Sequence, residues 1–155
     1  MSVLVTSACG GDGTSNDAKA PPPADQQVLA QYRLLWQRAL PAAAQAPSGQ
    51  RRDILAAVMT GGALGRAVGA YATLDKRHQK SYGADLPLHE NVVVRGTTAV
   101  VTGCLDSSKG GVADKKTGRK LTKGLNRNPT TVTFTRGSDG VWRVLDSSFP
   151  GTKGC

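Results

Sequence analysis

The feature that most narrows what this chain can become is a change of period. Up to Gly83 the apolar residues recur every three to four positions, and from Glu90 onward they alternate. In DQQVLAQYRLLWQRAL (residues 25–40), Val28, Tyr32, Leu35, Trp36 and Ala39 share one face of an amphipathic helix. Asp25 suits its cap or first turn, and Pro41 is its expected stop. RRDILAAVM (51–59) sets Ile54, Leu55, Val58 and Met59 on one face of a second, shorter helix, which the pair Gly61 and Gly62 should end. Leu64, Val68, Tyr71 and Leu74 predict a third helix within residues 63–83, closed at Gly83.

Beyond it, ENVVVRGTTAVVTGCLDSS reads as two strands divided at RGTT. TTVTFTRGSDGVWRVLDSS reads as two more around the turn GSDG, with Val132 and Phe134 alternating with threonines and Trp142, Val144 and Asp146 alternating with Val141, Arg143 and Leu145. Between the pairs, KGGVADKKTGRKLTKGLNRN is polar, glycine-rich and basic, the composition of a long hairpin arm or surface loop. Helices first and an antiparallel sheet afterward predict an α+β domain with the helices packed on one face of a curved sheet of about four strands.

A chain of 155 residues with only seven aromatics (two Trp, three Tyr, two Phe) builds a modest core, so a covalent staple would matter to it. Three cysteines are available. Cys104 falls inside a predicted strand and Cys155 ends a glycine-rich coil after the last strand. If those strands are neighbours, the coil PGTKGC can fold back and deliver Cys155 to Cys104, closing a loop of about 50 residues that the chain-entropy model credits with roughly 4 kcal/mol. The other reading is two unrelated thiols, one buried and one frayed. Neither the cysteines nor the two histidines have the spacing of a metal site.

The third cysteine, Cys9, follows Ser7 and Ala8 and precedes a Gly/Ser/Asp/Pro-rich run. That order resembles the end of a bacterial lipoprotein signal, in which a cysteine after small residues is acylated and followed by a flexible tether. Thr6 stands where an aliphatic residue is preferred and no basic n-region precedes it, an arrangement expected if translation starts further upstream. The organisation expected is therefore a signal remnant over residues 1–9, a tether over 10–24 and a folded domain over 25–155. A disulfide and a lipoprotein signal agree on an extracytoplasmic address, secreted or membrane-anchored. No stretch approaches 18 consecutive apolar residues, so the expected membrane link is the lipid and no transmembrane helix.

The strand TTAVVTGCLDSS, a variable polar hairpin, and TTVTFTRGSDGVWRVLDSSFPGTKGC together resemble actinobacterial secreted proteins and lipoproteins with an NTF2-like (cystatin-like) domain. The resemblance spans residues 25–155 and implies a cone of three helices against a curved sheet, with Cys104 bonded to Cys155. It implies no single reaction, because this fold hosts isomerases, cyclases, dehydratases and many proteins without catalysis. Such domains often form homodimers through the open face of the sheet.

A SnoaL-like enzyme on this fold would need an inward general base, for which the candidates are His78, His89 and Asp106. Both histidines stand in polar contexts, DKRHQK and PLHEN, and Asp106 reads as a strand-end carboxylate, so an enzyme is not the expectation. No nucleophile motif, phosphate-binding glycine loop or cofactor signature is present in the sequence. The competing expectations are two. In one, Tyr32, Trp36, Tyr71 and Trp142 line the cone mouth and hold a small molecule or partner peptide, unless they simply pack the core. In the other, the net charge of +9, concentrated at Lys115, Lys116, Arg119, Lys120 and Lys123, draws the domain to an anionic envelope surface. Nucleic acid is the less suited polyanion, because the basic arm has no interleaved aromatic residues to stack bases.

Overall fold

The structure, a computed structural model, describes residues 20–150 and 155. Cys9, the expected signal remnant and most of the expected tether lie outside the described residues. The helices are α1 (Ala24–Leu34), α2 (Leu40–Gln45), α3 (Arg51–Ala56) and α4 (Gly61–Lys76). The strands are β1 (Gln79–Tyr82), β2 (Leu86–Arg95), β3 (Thr98–Asp106), β4 (Gly111–Asp114), β5 (Asn128–Arg136) and β6 (Trp142–Ser148). None of the described helices is long and apolar enough to cross a membrane.

The fold is α+β, as the change of period implies, with antiparallel strands in the order β2-β3-β5-β6. Its inner face presents Ala99, Val101, Val132, Phe134, Trp142 and Val144, against which Val28, Tyr32, Leu35, Trp36, Leu55, Val58 and Leu64 of the helical layer pack. Bulges interrupt the ladder at His89 and Glu90 of β2 and at Leu145 of β6, opposite the junction of Thr133 and Phe134. A bulge of this kind increases local twist and bends its strand.

Three boundaries differ from those read in the sequence. Pro41 does not end the first helix: α1 continues through a π-helical turn, Leu35–Ala39, into α2. In that turn the Leu40 N–H donates to the Leu35 carbonyl, five residues back. The wider turn spreads the carbonyls a proline ring would strike and places Pro41, which has no N–H to lose, in the first turn of α2. The helix stops instead at Ala46, extended before Pro47.

Gly61 and Gly62 open α4 rather than closing the second helix. The residues before them run along β6, where Val144 donates to the Val58 carbonyl (2.8 Å) and Thr60 donates to the Val144 carbonyl (2.9 Å).

Finally, α4 ends near Lys76 and not at Gly83. His78 takes a left-handed conformation (φ 53°), the geometry that commonly terminates a helix, and its N–H returns to the Asp75 carbonyl (3.0 Å). Residues released by that turn form β1, which pairs antiparallel with β4 in a separate two-stranded sheet. The basic segment between β3 and β5 is thus partly a strand rather than wholly a loop. Its close seat requires Gly83: φ there is +76°, and a Cβ would come within 2.5 Å of the Lys109 carbonyl oxygen.

Cys104, fully buried on β3, is bonded to Cys155. Arg127 holds the same terminus by donating to the Cys155 carbonyl (2.7 Å).

Candidate functional site

A cavity of about 210 Å³ opens where the first helix, α4 and the β1–β4 sheet meet. Trp36 from the π turn, Leu40, Pro41 and Ala44 from α2, and Tyr71 from α4 form its apolar side. Ser81, Tyr82, Gly83 and Asp85, with Gly110 and Gly111 across the sheet, form its polar rim. Because the first helix continues past Pro41, α2 can supply half of this wall.

Tyr71 contributes only its ring. Its hydroxyl is spent on the Leu40 carbonyl (2.8 Å), and burial pushes its pKa up to about 12. Behind the ring lies Arg51, 7% exposed, with its guanidinium 5.3 Å from the Tyr71 centroid and two N–H groups on the Asp75 carboxylate (2.6 and 3.3 Å). Lys115 of the arm donates to the same carboxylate at 3.0 Å, so this ion cluster ties α3, α4 and the arm together behind the cavity. The hydrogen bonds from Arg51, then Lys115, hold the Asp75 carboxyl below the usual range.

Asp85 is the acid of the rim. Burial pushes its carboxyl above the ordinary value, the Asp106 charge adds to that push, and the Ser107 hydroxyl partly opposes it. A partly desolvated carboxylate at an aromatic cavity is a group able to orient a ligand's donor or to hold a proton. Sequence reasoning missed it. Asp85 stands in GADLP, which reads as a turn, and the fold brings Asp106, Ser107 and Gly110, more than twenty residues away in sequence, beside it.

The three catalytic candidates occupy separate elements. His78 is exposed at the left-handed turn after α4, and His89 is exposed in the β2 bulge with φ 54°. Neither lines the cavity. Asp106 ends β3 and accepts the Ser108 N–H (2.9 Å); hydrogen bonding by Ser108 keeps its carboxyl below the usual range. It lines, with Asp85 and Lys109, a depression of about 310 Å³ next to the cavity.

Of the four aromatic candidates, Trp36 and Tyr71 line the cavity, whereas Tyr32 is fully enclosed in the core and Trp142 walls a different groove beside α1. The Tyr32 hydroxyl, Trp36 Nε1 and Thr130 Oγ1 lie together in the interior with no hydrogen bond completed among them. Phe149, after β6, covers the Trp36 ring edge-on at 6.1 Å.

The basic candidates separate as well. Lys115 is taken by Asp75, while Lys116, Arg119, Lys120 and Lys123 are exposed, with the Lys120 ammonium 5.0 Å from the Tyr82 ring centroid. Among the described residues no group of three or more His, Cys, Asp or Glu is placed to hold a metal ion.

No family model matches the sequence, and no curated protein matches it. Solved structures do match its fold. The chain is similar to the intermembrane space region of the chloroplast protein ARC6, at 17% identity and a TM-score of 0.59 over 85% of this chain and 100% of that one. It is similar to an NTF2-like protein from Cytophaga hutchinsonii, at 11% identity and a TM-score of 0.57 over 84% and 100% of the two chains. A nuclear transport factor 2 (NTF2-like) superfamily protein from Salmonella enterica matches at 10% identity, a TM-score of 0.50 and coverage of 84% and 93%. At such identities the likeness speaks for architecture alone, and with the helix and strand order described above it makes this domain NTF2-like in fold.

Proposed function

We propose that the protein is an extracytoplasmic, non-enzymatic binding module of the cell envelope that takes a small, ring-bearing ligand in the mouth of its cone. The observation that carries this reading is the cavity walled by Trp36, Leu40, Pro41, Ala44 and Tyr71, with Asp85 as an acid on its rim. At about 210 Å³ it is smaller than the roughly 300–1,000 Å³ of drug-sized pockets, so it suits a single ring system rather than a lipid chain. The Cys104–Cys155 disulfide supports the address, since such bonds persist in oxidising compartments. Anchoring through Cys9 belongs to the same proposal and is tested by acyl labelling of wild type against Cys9→Ser.

The test of binding is a thermal-shift screen of small aromatic and alicyclic compounds, repeated on Ala44→Leu, which places a larger side chain in the cavity. Hits that stabilise wild type and not Ala44→Leu support the reading; hits insensitive to the substitution, or none at all, refute it. Asp85 favours a second reading, in which the same cavity is catalytic. Turnover of a hit that vanishes in Asp85→Asn while binding persists would replace the binding module with an enzyme whose general base is Asp85.

A further inference from the structure

The positive charge of the arm between β3 and β5 is spread along the sequence, but the fold does not leave it spread. Lys115 is paired with Asp75, and Arg127 is engaged at the C-terminal carbonyl. The Lys116 and Thr117 N–H groups close a turn on the Asp114 carboxylate (3.1 and 2.7 Å). Lys109, Lys120 and Lys123 of this arm instead line one open cleft of about 620 Å³ together with Tyr82, Ser108, Leu121 and Thr122. None of the three belongs to an ion pair among the described residues.

The backbone beneath these lysines is fastened. Leu121 and Thr122 both donate to the Val112 carbonyl (2.8 and 3.1 Å), Gly124 donates to Gly110 (2.9 Å), and Ser107 donates to Leu125 (2.8 Å). Val112 donates to Thr122 Oγ1 (3.0 Å), and the Tyr82 hydroxyl donates to the Thr122 carbonyl (2.9 Å). The Tyr82 ring holds Lys120 at its face. The carboxylate facing this cluster is Asp106, which feels Lys109 and Lys123 and is itself occupied by Ser108. Three lysines thus border one cleft, with Asp106 beside Lys109 and Lys123, and Asp85 sharing with Lys109 and Asp106 the adjoining depression. No guanidinium lines the cleft, so it lacks the planar fork that suits carboxylates. Compact point charges beside the Ser108 and Thr122 hydroxyls suit a tetrahedral anion with several oxygens.

We propose that the cleft of Lys109, Lys120 and Lys123 is a binding site for a phosphoryl group, either the head group of an anionic phospholipid or a soluble phosphate. It shares Tyr82 with the rim of the cone-mouth cavity but faces separate lysines, and it stands whether or not that cavity binds a ligand.

The test uses the full, oxidised chain with two probes at matched ionic strength: inorganic phosphate in calorimetric titration, and sedimentation with vesicles containing 30% phosphatidylglycerol in phosphatidylcholine. The triple variant Lys109→Gln/Lys120→Gln/Lys123→Gln is set against Lys116→Gln/Arg119→Gln, which removes two charges of the same arm outside the cleft. All five side chains are exposed, and circular dichroism checks that both variants are folded. The expected result is a loss of tenfold or more in the triple variant and of less than twofold in the double. Capture by vesicles without affinity for inorganic phosphate assigns the site to a lipid head group, and the converse assigns it to soluble phosphate. Equal losses in the two variants would mean diffuse attraction and would overturn the site. So would the absence of binding to either probe.

Discussion

Cys155→Ser is the cleanest perturbation this fold offers. Cys155 is exposed, and its carbonyl contact with Arg127 does not need the sulfur, so the native state loses little besides the bond itself. Cys104 is fully buried and stays behind as a small apolar side chain. The cost therefore falls on the unfolded chain, which regains the freedom of a loop spanning 51 residues. The chain-entropy relation puts that freedom at about 4 kcal/mol at 25 °C. At about 2–4 °C per kcal/mol for a chain of this size, the melting temperature should fall by roughly 10–15 °C. Urea unfolding is the assay, comparing oxidised wild type, reduced wild type and the variant. The midpoint should drop, m should rise because the released chain exposes more surface, and reduced wild type should follow the variant. A loss of under about 1 kcal/mol, or an unchanged m, would refute the view that the bond acts by restraining the unfolded chain.

Two carboxylates should move stability in opposite directions with pH. Asp75 has a native pKa below its ordinary value, so its contribution is full above the unfolded pKa near 3.9 and disappears as pH falls through the native value. Asp75→Asn should therefore be less stable than wild type at pH 7, with the gap closing below about pH 4; a gap constant from pH 7 to 3 would contradict the ion cluster. Asp85 has a native pKa above its ordinary value, so its stability contribution is present below the unfolded pKa and lost as pH rises through the native one. Asp85→Asn should consequently gain on wild type as pH rises from 4 to 7, and a widening deficit over that range would show that the carboxylate is better solvated than its surroundings imply. Arg51→Met, by removing two charge-assisted bonds from Asp75, should cost about 1–3 kcal/mol in urea unfolding, reduced from a fully buried pair because Asp75 keeps 26% side-chain exposure and Lys115. A neutral effect would mean that Arg51 merely fills space.

The helical face of residues 28–39 and the strands on either side of the arm were legible because each buries one face against the core, and burial is what imposes a period. β1 and β4 were not legible for the same reason: each of the four residues of β1 is only half-buried, so QKSY carries no alternation to read. Helix α4 ran too far in the sequence reading because its terminator is a histidine in the left-handed region, where glycine is the usual signal. The pairing of Cys104 with Cys155 was within reach of two cysteines and a short return coil. The division of the basic arm was not, since it depends on Asp75 claiming Lys115 across 40 residues of chain. Asp85 likewise looks like any turn acid until Ser107 and Gly110 are brought beside it.

The two edges of the four-stranded sheet are finished differently. Residues 58–60 lie along the outer side of β6 and take up its Val144 N–H and carbonyl. Among the described residues no strand lies on the outer side of β2, and its ladder to β3 is broken between Leu88 and Asn91, where His89 turns left-handed and Glu90 is held by Arg33 at 2.9 Å. A straight ten-residue border would offer an unbroken row of unpaired donors and acceptors on which a second chain could grow as fibril. The bulge divides that row into a segment at 86–88 and another at 91–95, so the left-handed turn at His89 shortens the straight stretch of edge along which another strand could pair.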